Sequence, residues 1–143
     1  MTIQQISVFL ENRPGALLSM IRALAEKGID MRALSLAETS EFGIARILVR
    51  DVAAASAALG AAGYVHSATR VVAAAIQDTP GGLEQALTAL SGAGVNVEYM
   101  YAFVGSGNSG AYMVFRVTEP EKAAAVLLEQ GVRLATQEEL EAL

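Results

Sequence analysis

The sequence contains no cysteine and only one histidine among its 143 residues. Without cysteine the chain has no disulfide, no thiolate metal ligand and no cysteine nucleophile. His66 lies in a strand-like run without the partners of a catalytic triad or a metal site, so we expect a hydrogen-bonded strand residue. We therefore expect no metal and no cofactor, and a reducing compartment, the cytoplasm, as the location.

Basic residues are also scarce, with 10 Lys and Arg against 15 Asp and Glu and a net charge of −5. Most of such a surface repels phosphate groups, which argues against nucleic acid and membrane partners. The longest apolar run, residues 71–76, is far shorter than the roughly 18 residues that span a bilayer, and the N-terminus lacks the basic region of a signal peptide. We expect a soluble, unprocessed protein.

The chain does contain an internal repeat, in which one unit occurs twice. Residues 12–17 (NRPGAL) return as residues 78–83 (DTPGGL), and residues 28–31 (GIDM) return as residues 94–97 (GVNV), 66 positions later in both cases. A unit of this size buries only about 60% of its unfolded surface and is marginal alone. We therefore expect the two copies to pack together.

Hydrophobic periodicity predicts the element order βαββαβ in each copy, with domains at 1–70 and 71–143. Pro14 and Pro80 are predicted to occupy first helical positions. The predicted elements are, in chain order, strand 3–10, helix 14–27, strands 31–38 and 43–50, helix 52–62 and strand 64–71, then strand 72–77, helix 80–91, strands 95–104 and 111–117, helix 120–130, strand 132–135 and a capped helical turn at 136–140.

This order predicts an α+β fold of two ferredoxin-like βαββαβ units side by side, with antiparallel sheets and the helices on one face. The other face has no predicted cover. In the second copy, strand alternation places on that bare face Tyr99, Tyr101, Phe103, Tyr112 and Val114, and towards the helices Met100, Ala102, Met113, Phe115 and Val117. The aromatic face therefore predicts a packing surface.

One sequence feature favours a ligand site, and a second resembles one only in the spacing of its glycines. Each Pro-Gly pair, at 14–15 and 80–81, opens a helix directly after a strand, and such helix starts present unpaired N–H groups and a partial positive charge that suit a carboxylate. Residues 105–110 (GSGNSG) fit the G-x-G-x-x-G pattern of dinucleotide-binding turns, but they lead into a strand rather than a helix. We interpret them as a hairpin loop.

The run Glu11–Leu17 (ENRPGAL), followed by Gly28–Met31, resembles the opening of an ACT domain. ACT domains are amino-acid-sensing regulatory modules with βαββαβ topology. The first copy is especially similar to the regulatory domain of serine-sensitive 3-phosphoglycerate dehydrogenases, and the doubling resembles stand-alone tandem ACT proteins. The serine-sensing pattern often has a histidine just before the Glu-Asn pair, where this chain has Leu10.

In that family the ligand lies between paired ACT domains, held by the turn before the first helix of one and by the start of the second strand of the other. The resemblance implies that Asn12 and Gly15 face Asn96, and that Asp78 and Gly81 face Asp30. Two amides can donate to a carboxylate or accept from an ammonium, whereas two close carboxylates repel unless a cation lies between them or one is protonated. We expect the amino acid at the Asn12/Asn96 site. The residues implied in ligand binding are Asn12, Arg13, Pro14, Gly15, Ala16, Leu17, Asn96, Asp30, Asp78 and Gly81.

The resulting interpretation is a non-catalytic regulatory sensor that binds a free amino acid, with a homodimer or a regulated enzyme as the expected protein partner. An alternative keeps the fold but makes the pocket vestigial, so that the aromatic face docks a partner enzyme. Base stacking on that face is disfavoured by the acidic charge. A small enzyme is disfavoured because no nucleophile, base and oxyanion set comes together in the sequence.

Overall fold

The computed structural model of the protein describes residues 1–105 and 110–142. It confirms the βαββαβ order of both copies, with the last strand of the first continuing into the second. The elements are β1 (Ile3–Glu11), α1 (Ala16–Ala25), β2 (Met31–Glu38), β3 (Phe42–Val49), α2 (Val52–Ala61), β4 (His66–Ile76), α3 (Gly82–Gly92), β5 (Val97–Val104), β6 (Ala111–Val117), α4 (Pro120–Glu129) and α5 (Gln137–Ala142).

The first copy forms a compact unit over Gln4–Thr69. Its strands lie in the order β2-β3-β1-β4, and β3 is antiparallel to both β1 and β2. The chain just before β4 bonds to β1, since the Phe9 N–H donates to the Val65 carbonyl at 3.0 Å. These pairings make a ferredoxin-like unit.

The second copy forms its own compact unit over Arg70–Glu141, together with Met1–Ile3. Here β6 lies between β4 and β5 and is antiparallel to both. The predicted closing strand at 132–135 is reduced to an isolated bridge between Ala74 and Leu134. The unit therefore repeats the layout of the first with a shorter last strand.

Each unit has its own core on the side of the sheet that its helices cover. Alanines on α2 and α4 are fully buried there, and their small side chains let helix and sheet approach closely. The first core contains Ile6, Val8, Leu10, Met20, Leu24, Ala45, Ile47, Val49, Ala55, Ala58 and Leu59. The second contains Val72, Ala74, Ala86, Leu90, Val95, Phe115, Val117, Ala123, Ala124, Leu127, Val132 and Leu134.

Both helices that follow a Pro-Gly pair begin later than the sequence predicted. α1 begins at Ala16 and α3 at Gly82, two residues after each proline. Gly15 and Gly81 precede them with φ of +85° and +90°, outside the helical region. The Ala16 N–H donates to the Arg13 carbonyl at 3.3 Å, and the second turn has the same bond at 3.1 Å. Proline followed by a glycine of positive φ is the pattern of a type II turn.

The join between the copies is one strand where the sequence predicted two. β4 runs over His66–Ile76 without a break, so the predicted strands 64–71 and 72–77 form a single element. Its sequence has no glycine or proline, the residues that most often end a strand. Extended backbone therefore links the two units.

The aromatic side of the second unit is only partly bare: Tyr99 and Tyr101 are half-buried, and the other residues predicted there are covered. Phe103, Tyr112 and Val114 do lie on the side of the sheet away from the helices, yet they are only 7%, 3% and 0% exposed. The rings of Phe103 and Tyr112 stack with centroids 5.1 Å apart. Arg133 donates to the Tyr112 hydroxyl at 3.1 Å, and this bond raises the pKa of Arg133. The segment after α4 thus reaches the aromatic side, which no sequence periodicity signals.

The capped turn predicted at the C-terminal end is confirmed as the start of α5. The Thr136 N–H donates to the Glu139 carboxylate at 3.2 Å, and the Glu139 N–H donates to the Thr136 hydroxyl at 3.1 Å. This reciprocal pair is a capping box. The capping box also fixes the position of Glu139, whose carboxylate lies 3.2 Å from the Arg133 guanidinium.

The glycine-rich run joins two paired strands, as its sequence context predicted. β5 ends at Val104 opposite Ala111, the first residue of β6, and the Gly105 N–H donates to the Gly110 carbonyl at 2.8 Å. No helix follows it, so it lacks the strand-to-helix setting of a dinucleotide-binding turn. Residues 106–109 themselves lie outside the described residues.

Gly82→Ala should lower the free energy of unfolding by about 1–3 kcal/mol, the usual range for overpacking. A Cβ at this position would lie 2.5 Å from the backbone oxygen of Gln77. The matched control is Gly92→Ala in the same helix, where a Cβ meets nothing within 4 Å and higher helix propensity stabilises by up to about 1 kcal/mol. Urea unfolding measures both changes. Equal effects would show that α3 moves freely away from Gln77.

Candidate ligand site before the first helix

The turn between β1 and α1 leaves a helix start open to solvent. Residues 11–15 are all exposed, and Gly15, the N-cap, has no side chain that could accept a helix N–H. The first helical bond runs from the Ser19 N–H to the Gly15 carbonyl at 2.9 Å, so helix geometry gives the amides of residues 17 and 18 no helical acceptor. Such amides, at the positive end of the helix dipole, suit a carboxylate.

Asn12 is fixed against the turn between β2 and β3. Its side-chain nitrogen donates to the Glu38 carboxylate at 3.2 Å and to the Thr39 carbonyl at 3.0 Å. Its backbone N–H donates to the Glu41 carbonyl at 2.9 Å. A primary amide has two donor hydrogens and one accepting oxygen. Asn12 therefore presents its side-chain carbonyl, an acceptor, to any ligand.

The charge around the turn is negative. Arg13 is paired with Glu11, its Nε lying 2.6 Å from the carboxylate. Glu38, by contrast, accepts from the neutral amide of Asn12, which leaves its negative charge at the turn. Leu10, where the serine-sensing pattern has histidine, is 5% exposed and belongs to the core. The exposed polar groups therefore favour a cationic group beside Asn12.

Asp30 and Asn96 occupy matching positions before β2 and β5. Their backbone carbonyls accept from the N–H groups of Arg50 and Thr118, each at 3.2 Å. The Asp30 carboxylate binds Arg32 at 3.2 Å. Asn96 is exposed and lines an open surface cleft of about 450 Å³ at the C-terminal end of α3. Both side chains are thus accessible at their strand starts.

The second Pro-Gly turn has the same bend but different chemistry. The ionised carboxylate of Asp78 cannot donate a hydrogen bond, and the side chain of Val104, which is 80% exposed, cannot accept one. Gly81 keeps the positive φ of the turn. The replacements at matching positions are Asn12 by Asp78, Ala16 by Gly82 and Glu38 by Val104. The hydrogen bond that fixes Asn12 therefore has no counterpart between Asp78 and Val104.

Sequence reasoning missed Glu38 and Thr39. The implied residues 12–17 form a continuous turn and helix start, but the partners of Asn12 come from a hairpin 26 and 27 positions along the chain. The sequence did indicate this contact. The turn predicted between strands 31–38 and 43–50 begins at Thr39, and a ferredoxin-like order pairs β3 with β1, the strand that ends directly before Asn12. Phe42, the first residue of β3, lies opposite Glu11.

His66 confirms the expectation of a hydrogen-bonded strand residue. Its Nδ1 lies 3.0 Å from the Tyr64 carbonyl, an acceptor, so Nδ1 carries the hydrogen. Its Nε2 accepts from the Ser56 hydroxyl at 2.8 Å. Both ring nitrogens are therefore occupied by bonds within the unit.

Over residues 1–105 and 110–142, no group of three or more His, Cys, Asp or Glu side chains is placed to hold a metal ion. In the same part of the chain, no helix is long and apolar enough to cross a membrane.

The repeat, the ferredoxin-like units and the two Pro-Gly turns agree with a family model described as an ACT domain pair, which matches residues 1–143. The chain belongs to the ACT domain family. This confirms the resemblance seen in residues 11–17 and 28–31. ACT domains are regulatory rather than catalytic modules.

Solved structures similar to this ACT domain pair include protein BT0572 from Bacteroides thetaiotaomicron, at 37% identity and a TM-score of 0.91, over 100% of this chain and 98% of that one. The regulatory subunit of aspartate kinase from Thermus thermophilus, in its ligand-free form, is 20% identical with a TM-score of 0.61, over 87% and 88%. The same subunit from Thermus flavus is 20% identical with a TM-score of 0.60, over 90% and 92%. No curated protein matches the chain.

Asn12→Asp should destabilise the protein more than Asn12→Ala at pH 7. The alanine variant loses two donated hydrogen bonds, about 1 kcal/mol each, whereas the aspartate variant also places a carboxylate beside Glu38. Such a like-charge pair raises the pKa of one member, so the extra penalty is present at neutral pH and is lifted as the pH falls below about 4. Urea unfolding at both pH values measures this.

The control for this experiment is Asp78→Asn in the second turn, where no acid stands at the matching position 104. It should show no comparable pH-dependent difference. If the aspartate and alanine variants at position 12 were equally stable at pH 7, the Asn12–Glu38 bond would not be formed in solution.

Proposed function

We propose that this ACT domain pair is a non-catalytic sensor that binds a free amino acid at the turn before α1 and thereby regulates a partner enzyme. One observation carries the proposal. Donors for a carboxylate, at the start of α1, lie next to acceptors for an ammonium, at Asn12 and Glu38. These are the two charged groups that every free amino acid carries.

The carboxylate of the ligand would bind the amides that follow Gly15. One such contact at a helix start contributes about 0.3–1 kcal/mol, and up to about 2 kcal/mol when partly buried. The ammonium would donate to the side-chain carbonyl of Asn12 and to the Glu38 carboxylate. Because both donor hydrogens of Asn12 are already used, this orientation of the zwitterion is preferred over the reverse. Affinity in the micromolar to millimolar range is expected, roughly −4 to −8 kcal/mol.

The second turn is a weaker candidate for the same ligand. Gly81 supplies a similar helix start, but Asp78 repels a carboxylate placed there. Because the two turns differ in chemistry, the proposal does not require a bound ligand at each of them. A single amino acid at the first turn is therefore the simplest form of the proposal.

A regulatory rather than catalytic role is supported by the family, which is one of regulatory modules. The Thermus relatives are regulatory subunits of aspartate kinase, which supports an enzyme as the partner. A ligand regulates by binding one conformation of the protein better than another.

The alternative, a protein-interaction module with a vestigial pocket, keeps only part of its expected docking surface. That interpretation placed the partner on the aromatic face, where Phe103 and Tyr112 are buried and Tyr99 and Tyr101 are half-buried. It would gain support if no amino acid bound.

Thermal unfolding in the presence of each of the twenty amino acids tests the sensor proposal. One or a few should raise the melting temperature by about 5–10 °C at a concentration of about 100 times the Kd, where a ligand stabilises the folded state by about 2.7 kcal/mol. Asn12→Ala should abolish that increase, measured against its own ligand-free melting temperature. Asn96→Ala tests the role that the family resemblance implies for Asn96.

The matched control is Asp78→Ala, which removes the corresponding side chain of the second turn and should leave the increase intact. Isothermal titration with the best amino acid then gives the stoichiometry, for which we expect one per chain. If none of the twenty changes the melting temperature, or if Asn12→Ala keeps the full effect, the proposed site is wrong.

A further inference from the structure

A cavity of about 230 Å³ opens on the surface of the second unit. It lies at the end of β4, between the start of α3, the start of β6 and the segment after α4. Asp78 and Gly81, the turn residues to which the family resemblance assigns a ligand, are not among its described lining residues. We call it the Arg133 cavity, and its lining includes Ala75, Gln77, Gly82, Gly110, Val132 and Arg133.

Two residues of the cavity match Phe9 and Val65 of the first unit. The Ala75 N–H donates to the Arg133 carbonyl at 2.8 Å, and the Phe9 N–H donates to the Val65 carbonyl at 3.0 Å in the corresponding place. The second unit therefore has a methyl group where the first has a phenyl ring. It also has a guanidinium where the first has an apolar side chain that is 70% exposed. These two replacements add space and a positive charge.

A second aromatic ring is lost at the start of β6. Phe42 lies opposite Glu11 in the β1–β3 register. The β4–β6 register, continued by one residue, places Gly110 opposite Gln77. Glycine thus replaces phenylalanine, and a neutral amide replaces a carboxylate. The cavity gains further space, and its lining loses a negative charge.

A third ring is lost in the segment that follows the second helix of each unit. Tyr64 and Val132 match, because each donates its backbone N–H to the carbonyl five residues earlier, at 2.9 and 3.0 Å. Alanine, glycine and valine of the second unit therefore stand where the first unit has Phe9, Phe42 and Tyr64. Replacing large side chains by small ones leaves a cavity wherever the surroundings do not fully collapse. The Arg133 cavity lies at these positions.

Arg133 is held in place beside this space. Its guanidinium donates to the Tyr112 hydroxyl at 3.1 Å and to the Glu139 carboxylate at 3.2 Å. A guanidinium has five N–H donors, so these two bonds leave others for a ligand. Glu139 is not among the described residues that line the cavity, and Arg133 is the one charged residue among them. The described lining therefore favours an anion.

We propose that the Arg133 cavity binds a small organic carboxylate that has a flat apolar body, such as an aromatic ring, and no ammonium group. The guanidinium would hold the carboxylate through two parallel hydrogen bonds. Ala75 and Val132 would contact the ring, in the space that the replaced aromatic side chains leave. Because no aspartate or glutamate is among the described lining residues, an ammonium has no anionic partner in this lining. The ligand thus differs in class from the zwitterion proposed at Asn12.

Benzoate is the probe that tests the chemistry of the cavity. Isothermal titration of the full chain should show one benzoate bound, with a dissociation constant on the order of 1 mM or lower. Benzamide keeps the ring without the charge, and inorganic phosphate keeps a charge without the ring. Each should bind at least about tenfold more weakly, because each lacks one of the two recognised groups. Equal binding of benzamide or of phosphate would overturn the proposed ligand class.

Substitutions that restore residues of the first unit test the location. Ala75→Phe returns the ring found at Phe9, and Arg133→Val returns the side chain found at Val65. Each should raise the dissociation constant of benzoate by about tenfold or more, by filling the space or by removing the charge. Arg133→Lys should bind benzoate more weakly than the wild type and more tightly than Arg133→Val, since an ammonium keeps the charge without the fork of donors.

The matched control is Phe9→Ala in the first unit, which should leave benzoate binding unchanged. Circular dichroism and the melting temperature without ligand show that each variant is folded. No benzoate binding by the wild-type chain would overturn the proposal, as would full binding by folded Ala75→Phe or Arg133→Val. Asn12→Ala, which removes the proposed amino-acid site, should keep benzoate binding, so this proposal and the sensor proposal fail separately.

Discussion

The positive φ of the glycine after each proline is the backbone constraint on which both units depend. At +85° and +90°, Gly15 and Gly81 turn the chain from the end of a strand into a helix within a few residues. A residue with a Cβ is strained in this conformation. The bend places the helix over the sheet and buries Met20 and Leu24 of α1. It also leaves the first helical amides at the surface, so one constraint serves both the core and the candidate site.

The two copies keep this bend and differ in what surrounds it. In the first, an amide and a carboxylate 26 residues apart hold the turn against the β2–β3 hairpin. In the second, both partners have changed, to Asp78 and Val104, and Gly82 allows a close approach to the Gln77 carbonyl that an alanine would block. A shared scaffold with divergent turns is what a duplicated unit permits, because the backbone bend does not depend on these side chains.

Glu38 belongs both to the sheet and to the candidate site. It is the last residue of β2, and its carboxylate accepts from Asn12. Because strand pairing fixes where β2 ends, it also fixes where this acceptor lies beside the turn.

The amino-acid sequence alone determined the repeat, the βαββαβ order, the two sides of each strand and the position of the Pro-Gly turns. These depend on side-chain periodicity and on the local sterics of proline and glycine, which act within a few residues. Even the delayed start of α1 follows from a local cause, the φ of Gly15. Only the tertiary structure decided that Glu38 and Thr39 fix Asn12, that β4 runs unbroken, and that Phe103 and Tyr112 are buried. Contacts between residues far apart in the chain depend on how whole elements pack, and no local pattern records them.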